Sequence, residues 1–157
     1  MTGASGGSER LVGLLDGEEL VAMLAVRYSP GMQTDLEEAA PSGMRRPSVV
    51  QRQAYALWVR RSSAAGFPIA GPEMILGISD ARLLVWRPAL LRSRPRRFAG
   101  AIPLGQIHSA GVHRKLFASV LTLLLDDGKL VGVETLRSAR LRRFATAIPS
   151  YTENKAR

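Results

Sequence analysis

The sequence predicts a mainly β fold with some α structure, in which seven antiparallel strands are closed by a C-terminal helix. Two patterns support this. From residue 74 onward, short apolar runs typical of strands alternate with turn signals, and two other segments repeat apolar residues at helical spacing. A length of 157 residues, of which 46% are hydrophobic, suits one domain.

The first strand is predicted from Glu19 to Tyr28, a mostly apolar run that ends at the turn signal Ser29-Pro30-Gly31. Residues 30–47 contain three prolines and two glycines and are predicted as a loop or insertion.

An amphipathic helix of roughly three turns is predicted to begin at Ser48, which forms a capping-box pattern with Gln51. We expect it to pack on the body of the domain and to end in the loop 62–66. Its apolar face consists of Val50, Ala54, Leu57 and Trp58.

Six further strands are predicted between turn signals. Pro88 and Pro95 bracket the connection between the third and fourth strands of the whole fold, and Pro103-Leu104-Gly105 separates the fourth from the fifth. The six strands are Met74–Ile78, Arg82–Trp86, Phe98–Ile102, Gln106–His113, Val120–Leu125 and Leu130–Glu134.

The last hairpin has two candidate registers. A two-residue turn at Asp127-Gly128 would place Leu121 opposite Glu134 and mix the two sheet faces. A three-residue loop with Gly128 in the left-handed conformation would pair Leu121 with Val133. The three-residue loop is predicted, because it buries one wholly apolar face.

The closing helix is predicted to have Ser138 as its N-cap and to stop near Ala147 or Ile148, because Pro149 disfavours helical geometry in the residue before it. Residues 1–9 are predicted as a flexible lead, 10–151 as one domain with residues 30–72 as loop and helical insertion, and 152–157 as a tail. The apolar stripe of the helix consists of Leu141, Phe144, Ala145 and Ile148.

Charge is distributed unevenly along the chain. Residues 1–38 carry a net charge of −5, whereas residues 39–157 carry 20 basic and six acidic side chains, a net charge of +14. A basic body of this kind attracts anionic partners. An alternative explanation of the basic composition is a GC-rich coding sequence, since 19 of the 22 basic residues are Arg and the chain also has 20 Ala.

Several classes of protein are excluded or disfavoured. The absence of cysteine excludes disulfides, thiolate zinc sites and thiol nucleophiles. The longest strongly apolar run, Val120–Leu125, is far shorter than the roughly 20 residues of a bilayer span, and residues 1–10 do not resemble a signal peptide. We expect a soluble cytoplasmic protein without a transmembrane segment.

The sequence contains no convincing catalytic constellation, and we expect neither an enzyme nor a metal or cofactor site. The two histidines, His108 and His113, are five residues apart, which places them on opposite faces of a regular strand. Asp80 and the pair Asp126-Asp127 lie in predicted turns, and Glu134 is expected to face solvent at a strand end.

Two basic groups are the candidate contacts for an anion or a partner, the alternative being that they simply face water. The first lies in the proline-framed connection, and the second flanks the N-terminus of the last helix, where free N–H groups attract anions. Trp58 and Trp86 are predicted as packing residues. The candidate site residues are Arg92, Arg94, Arg96 and Arg97 in the first group, with Arg137 and Arg140 in the second.

Four short segments, in this order and spacing, resemble bacterial pleckstrin-homology-like (PH-like) and GRAM-like domains. They are Ile78-Ser79-Asp80-Ala81-Arg82-Leu83-Leu84-Val85-Trp86, Ile102-Pro103-Leu104-Gly105-Gln106-Ile107, Leu123-Leu124-Leu125-Asp126-Asp127-Gly128 and Arg142-Arg143-Phe144. The resemblance covers about residues 74–148 and weakly the first strand. The Ser48 helix lies outside the family pattern as an insertion.

The resemblance implies a non-catalytic binding module in a seven-stranded barrel or sandwich. Such domains bind lipid headgroups or peptides or act as scaffolds, and fold alone does not decide among these functions. We therefore expect a protein partner or an anionic lipid surface, contacted through the basic face, and a cytoplasmic protein that can act at the membrane periphery. A basic nucleic-acid-binding protein is the alternative, although only 6% of residues are aromatic and no recognition motif is present.

Overall fold

Seven antiparallel strands and two α-helices make up the computed structural model, which describes residues 11–29, 47–89, 92–126 and 128–152. A short 3-10 helix, Leu104–Gln106, connects the fourth and fifth strands. The strands are β1 (Leu20–Tyr28), β2 (Glu73–Ser79), β3 (Arg82–Ala89), β4 (Arg92–Pro103), β5 (Ile107–Arg114), β6 (Ser119–Leu125) and β7 (Leu130–Thr135), and the helices are α1 (Pro47–Ala64) and α2 (Ser138–Ala145).

The strands form one sheet in the order β4-β3-β2-β1-β7-β6-β5. Consecutive strands pair within the groups β1–β4 and β5–β7, and β1 joins the two groups by pairing with β7. Inward side chains from all seven strands share one buried cluster with Leu141, Phe144 and Ala145 of α2. The sheet therefore curves so that both halves face one core, and the mainly β class predicted from the sequence is confirmed.

The predicted three-residue loop between β6 and β7 is confirmed by the strand register. Leu121 lies opposite Val133 and Leu123 opposite Val131. The N–H of Leu125 donates to the carbonyl of Lys129 at 3.0 Å, and Gly128 has a φ of +71°, the left-handed conformation that a side chain disfavours.

The turn between β2 and β3 also lies where the sequence predicts it. The side chain of a serine stabilises this turn. The hydroxyl oxygen of Ser79 accepts hydrogen bonds from the N–H groups of Ala81 at 3.1 Å and Arg82 at 2.9 Å. The serine side chain therefore satisfies two backbone N–H groups of the turn.

The helix α1 extends over five turns rather than the three that the sequence predicts. It ends in a Schellman motif, in which Phe67 N–H donates to Ser62 O at 2.9 Å and Gly66 N–H to Ser63 O at 3.0 Å. Ala54 and Trp58 of the predicted apolar face are buried, whereas Leu57 is exposed, and the side chains of Ser48 and Val50 lie outside the described residues. The predicted loop 30–47, the lead and the tail also lie outside them, except for Pro47, which begins α1, and Thr152.

The N-cap of α2 is Arg137, so the prediction that Ser138 caps the helix is wrong. Ser138 instead shares a hydrogen bond of 2.6 Å with the hydroxyl of Ser119 at the start of β6. The α-helix ends at Ala145, two residues before the predicted stop, and tighter turns continue to Ile148. The predicted apolar stripe is buried as expected.

Residues 11–19 cover the outer face of the β1–β4 half of the sheet. No periodicity in the sequence predicts this packing. Leu11 and Leu14 pack on a second buried cluster around Trp86, whose indole N–H donates to Val12 O at 2.7 Å. Trp86 and Trp58 are thus both packing residues, as predicted.

A buried ion pair fastens this N-terminal segment to the sheet. The guanidinium of Arg82 forms a bidentate contact with Glu18, with N–O distances of 2.6 and 2.9 Å, and the hydroxyl of Ser79 donates to the same carboxylate at 2.6 Å. The hydrogen bond from Arg82 is the main reason that the pKa of Glu18 falls from 4.5 to about 2. The same pairing raises the pKa of Arg82.

Candidate functional site

The first predicted group of arginines lies in a strand and not in a loop. Arg92, Arg94, Arg96 and Arg97 belong to β4, so the predicted loop is wrong. The prolines predict a loop because they interrupt strands, but β4 is the last strand on its side of the sheet, and an edge strand tolerates a missing N–H. Pro95 lies opposite Pro88, and shifts of register surround the pair.

The outer strand β4 presents a concentrated positive surface, which we call the arginine edge and define as Arg87, Arg94, Arg96 and Arg97. All four side chains are exposed. Arg87 and Arg97 are direct cross-strand neighbours, an arrangement that is unfavourable in a sheet without an anion to offset it. In the part of the chain that the structure describes, none of the four lies within 4.0 Å of a carboxylate oxygen. The side chain of Arg92 lies outside that part.

The second predicted group, Arg137 and Arg140, lines a cavity of about 510 Å³. The cavity exists because β1 pairs with β7 only through Arg27 and Tyr28, so that the earlier part of β1 separates from β7. Segments of β1, β2 and β7 form its walls, and Pro88 and Ala89 at the end of β3 complete them.

This cavity connects the two groups of arginines that the sequence predicted separately. Ala89 lines it and is the cross-strand partner of Arg92, the first residue of β4. Arg137 and Arg140 line it from the side of α2. Pro88 also lines the cavity and directly follows Arg87, so the arginine edge begins beside the same cavity that the helix arginines line.

A buried glutamate stabilises the wall of the cavity. Glu134 is only 8% exposed, so the prediction that it faces solvent is wrong. It lies between Arg27, whose Nε is 3.2 Å from its carboxylate, and Lys115, whose Nζ is 3.6 Å from it. These partners come from β1 and from the β5–β6 turn. The alternation of apolar and polar residues in β7 does not indicate contacts with other elements.

An exposed apolar pair, which sequence reasoning missed, lies at the β5–β6 turn next to this region. Leu116 and Phe117 are 86% and 82% exposed, and the turn is closed by the Lys115 N–H donating to Ala118 O at 2.7 Å. We call this pair the apolar tip. Its signal in the sequence is two large apolar residues placed where a hairpin turn normally has polar ones.

The apolar tip is continuous with the start of α2. Ser119 is the cross-strand partner of Thr135, so the chain that follows Thr135 lies beside the turn that precedes Ser119. Leu136, in that following segment, is 78% exposed. We define the basic end of the molecule as the residues Arg114, Lys115, Leu116, Phe117, Leu136, Arg137 and Arg140.

A smaller cavity of about 220 Å³ separates α1 from the outer face of β5–β7. Leu57, Arg61 and His113 are among its lining residues. The indole N–H of Trp58 donates to Gly132 O at 2.8 Å and attaches the helix to β7 beside this cavity.

The histidines and carboxylates of the described residues do not converge on one point. Both histidines are exposed, and a register shift between Ile107 and Ser109 breaks the alternation on which the opposite-face prediction was based. His108 contacts Asp126 through Nε2. In residues 11–29, 47–89, 92–126 and 128–152, no group of three or more His, Asp or Glu side chains is placed to hold a metal ion.

No protein-family model matches the chain, and no curated protein matches it. Within the described segments, neither helix is long and apolar enough to cross a membrane.

Proposed function

We propose that this protein is a non-catalytic PH-like binding module that contacts an anionic membrane surface through its arginine edge and basic end. The observation that carries the proposal is the concentration of exposed arginines along β4 and at the start of α2, none of which lies within 4.0 Å of a carboxylate oxygen of the described residues. The described residues include 17 basic and seven acidic side chains, a net charge of +10. Two of these acids, Glu18 and Glu134, are paired with arginine and lysine side chains of the fold.

The topology supports the PH-like assignment. Two antiparallel groups of four and three strands are joined through β1 and β7, and α2 contacts β1, β5 and β6 at the end of the chain. This order agrees with the seven strands and closing helix that the sequence motifs imply. The helix α1, between β1 and β2, is an elaboration of that pattern.

The surface favours a membrane over nucleic acid. Single-stranded nucleic acids bind on exposed aromatic side chains with flanking cations. Both tryptophans here are buried, and the exposed aromatic side chain of Phe117 lies next to the cations together with two exposed leucines, Leu116 and Leu136. A lipid surface offers both phosphate groups and an apolar interior to such a combination.

In the proposed role, the protein is cytoplasmic and peripheral at the membrane. Each arginine near an anionic leaflet contributes about 1 kcal/mol. The exposed arginines of β4 and α2 together supply several such contacts, enough for reversible binding that depends on salt. No cofactor or metal is part of the proposal.

Vesicle co-sedimentation tests this function. The full chain should bind phosphatidylcholine vesicles that contain phosphatidylglycerol, bind phosphatidylcholine alone much less, and lose binding as salt rises. Replacing Arg94, Arg96 and Arg97 together by Ser should weaken binding by about 100-fold, from about 1 kcal/mol for each charge.

The matched control removes three exposed charges from another element, with Arg52, Arg60 and Arg61 of α1 replaced by Ser. An equal loss in both triple variants would contradict the assignment to β4. Absence of vesicle binding by the unaltered chain would overturn the membrane function, and specific capture of a peptide or of RNA would then identify another class of partner. Thermal unfolding of each variant checks that it remains folded.

A further inference from the structure

The apolar tip has no packing role in the described structure. Leu116 and Phe117 are adjacent and exposed, and they belong to neither buried cluster. Isolated exposed apolar residues are ordinary on protein surfaces, but two consecutive large ones at the point of a hairpin form a protruding apolar surface.

The support beneath the tip is ordered by contacts on both sides. Lys115 closes the turn through its backbone and reaches the buried Glu134 through its side chain. Ser119, on the other side of the turn, is hydrogen-bonded to Ser138 at the start of α2. The tip therefore projects from a fixed base that connects β5, β6, β7 and α2.

The charges around the tip have one sign. Arg114, Arg137 and Arg140 are exposed near it, and the nearest described carboxylate, Glu134, is buried and paired. Asp126 lies beyond the opposite end of β6, about 20 Å along the strand from Ser119. An apolar point surrounded by cations is complementary to the anionic headgroups and the acyl layer of a bilayer.

We propose that Leu116 and Phe117 insert below the headgroups of an anionic bilayer, with Leu136 at the interface and Arg114 and Arg137 on the lipid phosphates. This inference rests on the proposed function and adds the depth and orientation of the contact. The arginine edge then supplies long-range attraction, while the apolar tip supplies the part of the binding that resists salt.

A site-specific fluorophore tests the insertion directly. Because the chain has no cysteine, Phe117→Cys creates a single attachment point for an environment-sensitive dye. Ser109→Cys, exposed towards the other end of β5, is the matched control. On vesicles with phosphatidylglycerol, the dye at 117 should shift to the blue and be quenched by acyl-chain quenchers, whereas the dye at 109 should not.

A second variant tests the energetic contribution. Leu116→Ser with Phe117→Ser should reduce partitioning by about 30-fold or more while leaving thermal unfolding unchanged, because neither side chain is buried in the folded protein. The remaining binding should be more sensitive to salt than that of the unaltered chain.

The outcomes separate this inference from the proposed function. Vesicle binding with no change of the dye at 117, or undiminished binding of the double Ser variant, would overturn insertion and leave a purely electrostatic contact. If the unaltered chain does not bind vesicles, both the insertion and the proposed membrane function are overturned. A dimer that the double Ser variant converts to a monomer, without vesicle binding, would identify the tip as a contact between copies of the chain.

Discussion

Glu18 should make the stability of this fold unusually sensitive to acid. Its carboxylate is bound by Arg82 and Ser79, and the hydrogen bond from Arg82 is the largest cause of the fall in its pKa from 4.5 to about 2. At about 1.4 kcal/mol per pH unit, this fall corresponds to roughly 3 kcal/mol of stability. The Glu18 side chain is 5% exposed but that of Arg82 is 20% exposed, so solvent screening makes this figure an upper limit.

The direction of the effect follows from the lowered pKa. A carboxyl group whose pKa is lower in the folded than in the unfolded state contributes its full stabilisation above the unfolded value. That contribution is lost as the pH falls from about 4.5 to about 2. A comparison with a variant at this position isolates the contribution of Glu18.

Urea unfolding, followed by the fluorescence of the two tryptophans, measures the free energy of unfolding as a function of pH. Glu18→Gln should lower it by about 3 kcal/mol at neutral pH, because Arg82 loses its charged partner. The curves of the variant and the unaltered chain should converge as the pH approaches about 2. Parallel curves would refute the reasoning, and Glu19→Gln, at the exposed neighbouring position, is the control.

Three further substitutions test the packing and turns described above. Gly128→Ala should cost about 1–2 kcal/mol in urea unfolding because its φ is +71°, although open space surrounds the site. Gly77→Ala should cost about 1–3 kcal/mol or more, because the new methyl would lie 2.5 Å from the Trp86 ring; wild-type stability would contradict the packing. Trp58→Phe should remove the hydrogen bond to Gly132, lower stability by about 1 kcal/mol and increase amide exchange in α1; unchanged exchange would show that this bond does not hold the helix.

Local patterns predicted those parts of the fold whose partners are close in sequence. The β6–β7 register was predictable because only one alignment puts Leu121 and Leu123 on a single apolar face. The three-residue loop between β6 and β7 was equally predictable, because Gly128 supplies the left-handed conformation that the register requires. In both cases the decisive residues lie within about 15 positions of one another.

Residues with distant partners were assigned wrongly. Glu134 was predicted to face solvent because the sequence of β7 does not indicate that Arg27 and Lys115 lie beside its carboxylate. Pro88 and Pro95 suggested a loop because a single sequence does not show that β4 is an edge strand. The pairing that creates such environments is a property of the whole sheet.

The candidate site was predictable only in part. The arginines of β4 and of the helix start were visible as clusters, but not the cavity that connects them, because it results from the separation of β1 and β7. The apolar tip was visible in principle as Leu116-Phe117 within a turn. Its meaning depends on Leu136, which only the β6–β7 pairing brings beside it.

The short junction between β1 and β7 has a consequence for folding. Apart from this junction, every pair of hydrogen-bonded strands is consecutive in the chain, and all of these pairs except β1–β2, which residues 29–72 separate, form from nearby contacts with little loop-closure entropy. Within the described residues, two residue pairs of β1 and β7 join the halves, Arg27 with Glu134 and Tyr28 with Val133, and the N–H of Ser29 just beyond them donates to Gly132 O at 3.1 Å. The amides of this junction should therefore be the last of the sheet to become protected from hydrogen exchange during refolding.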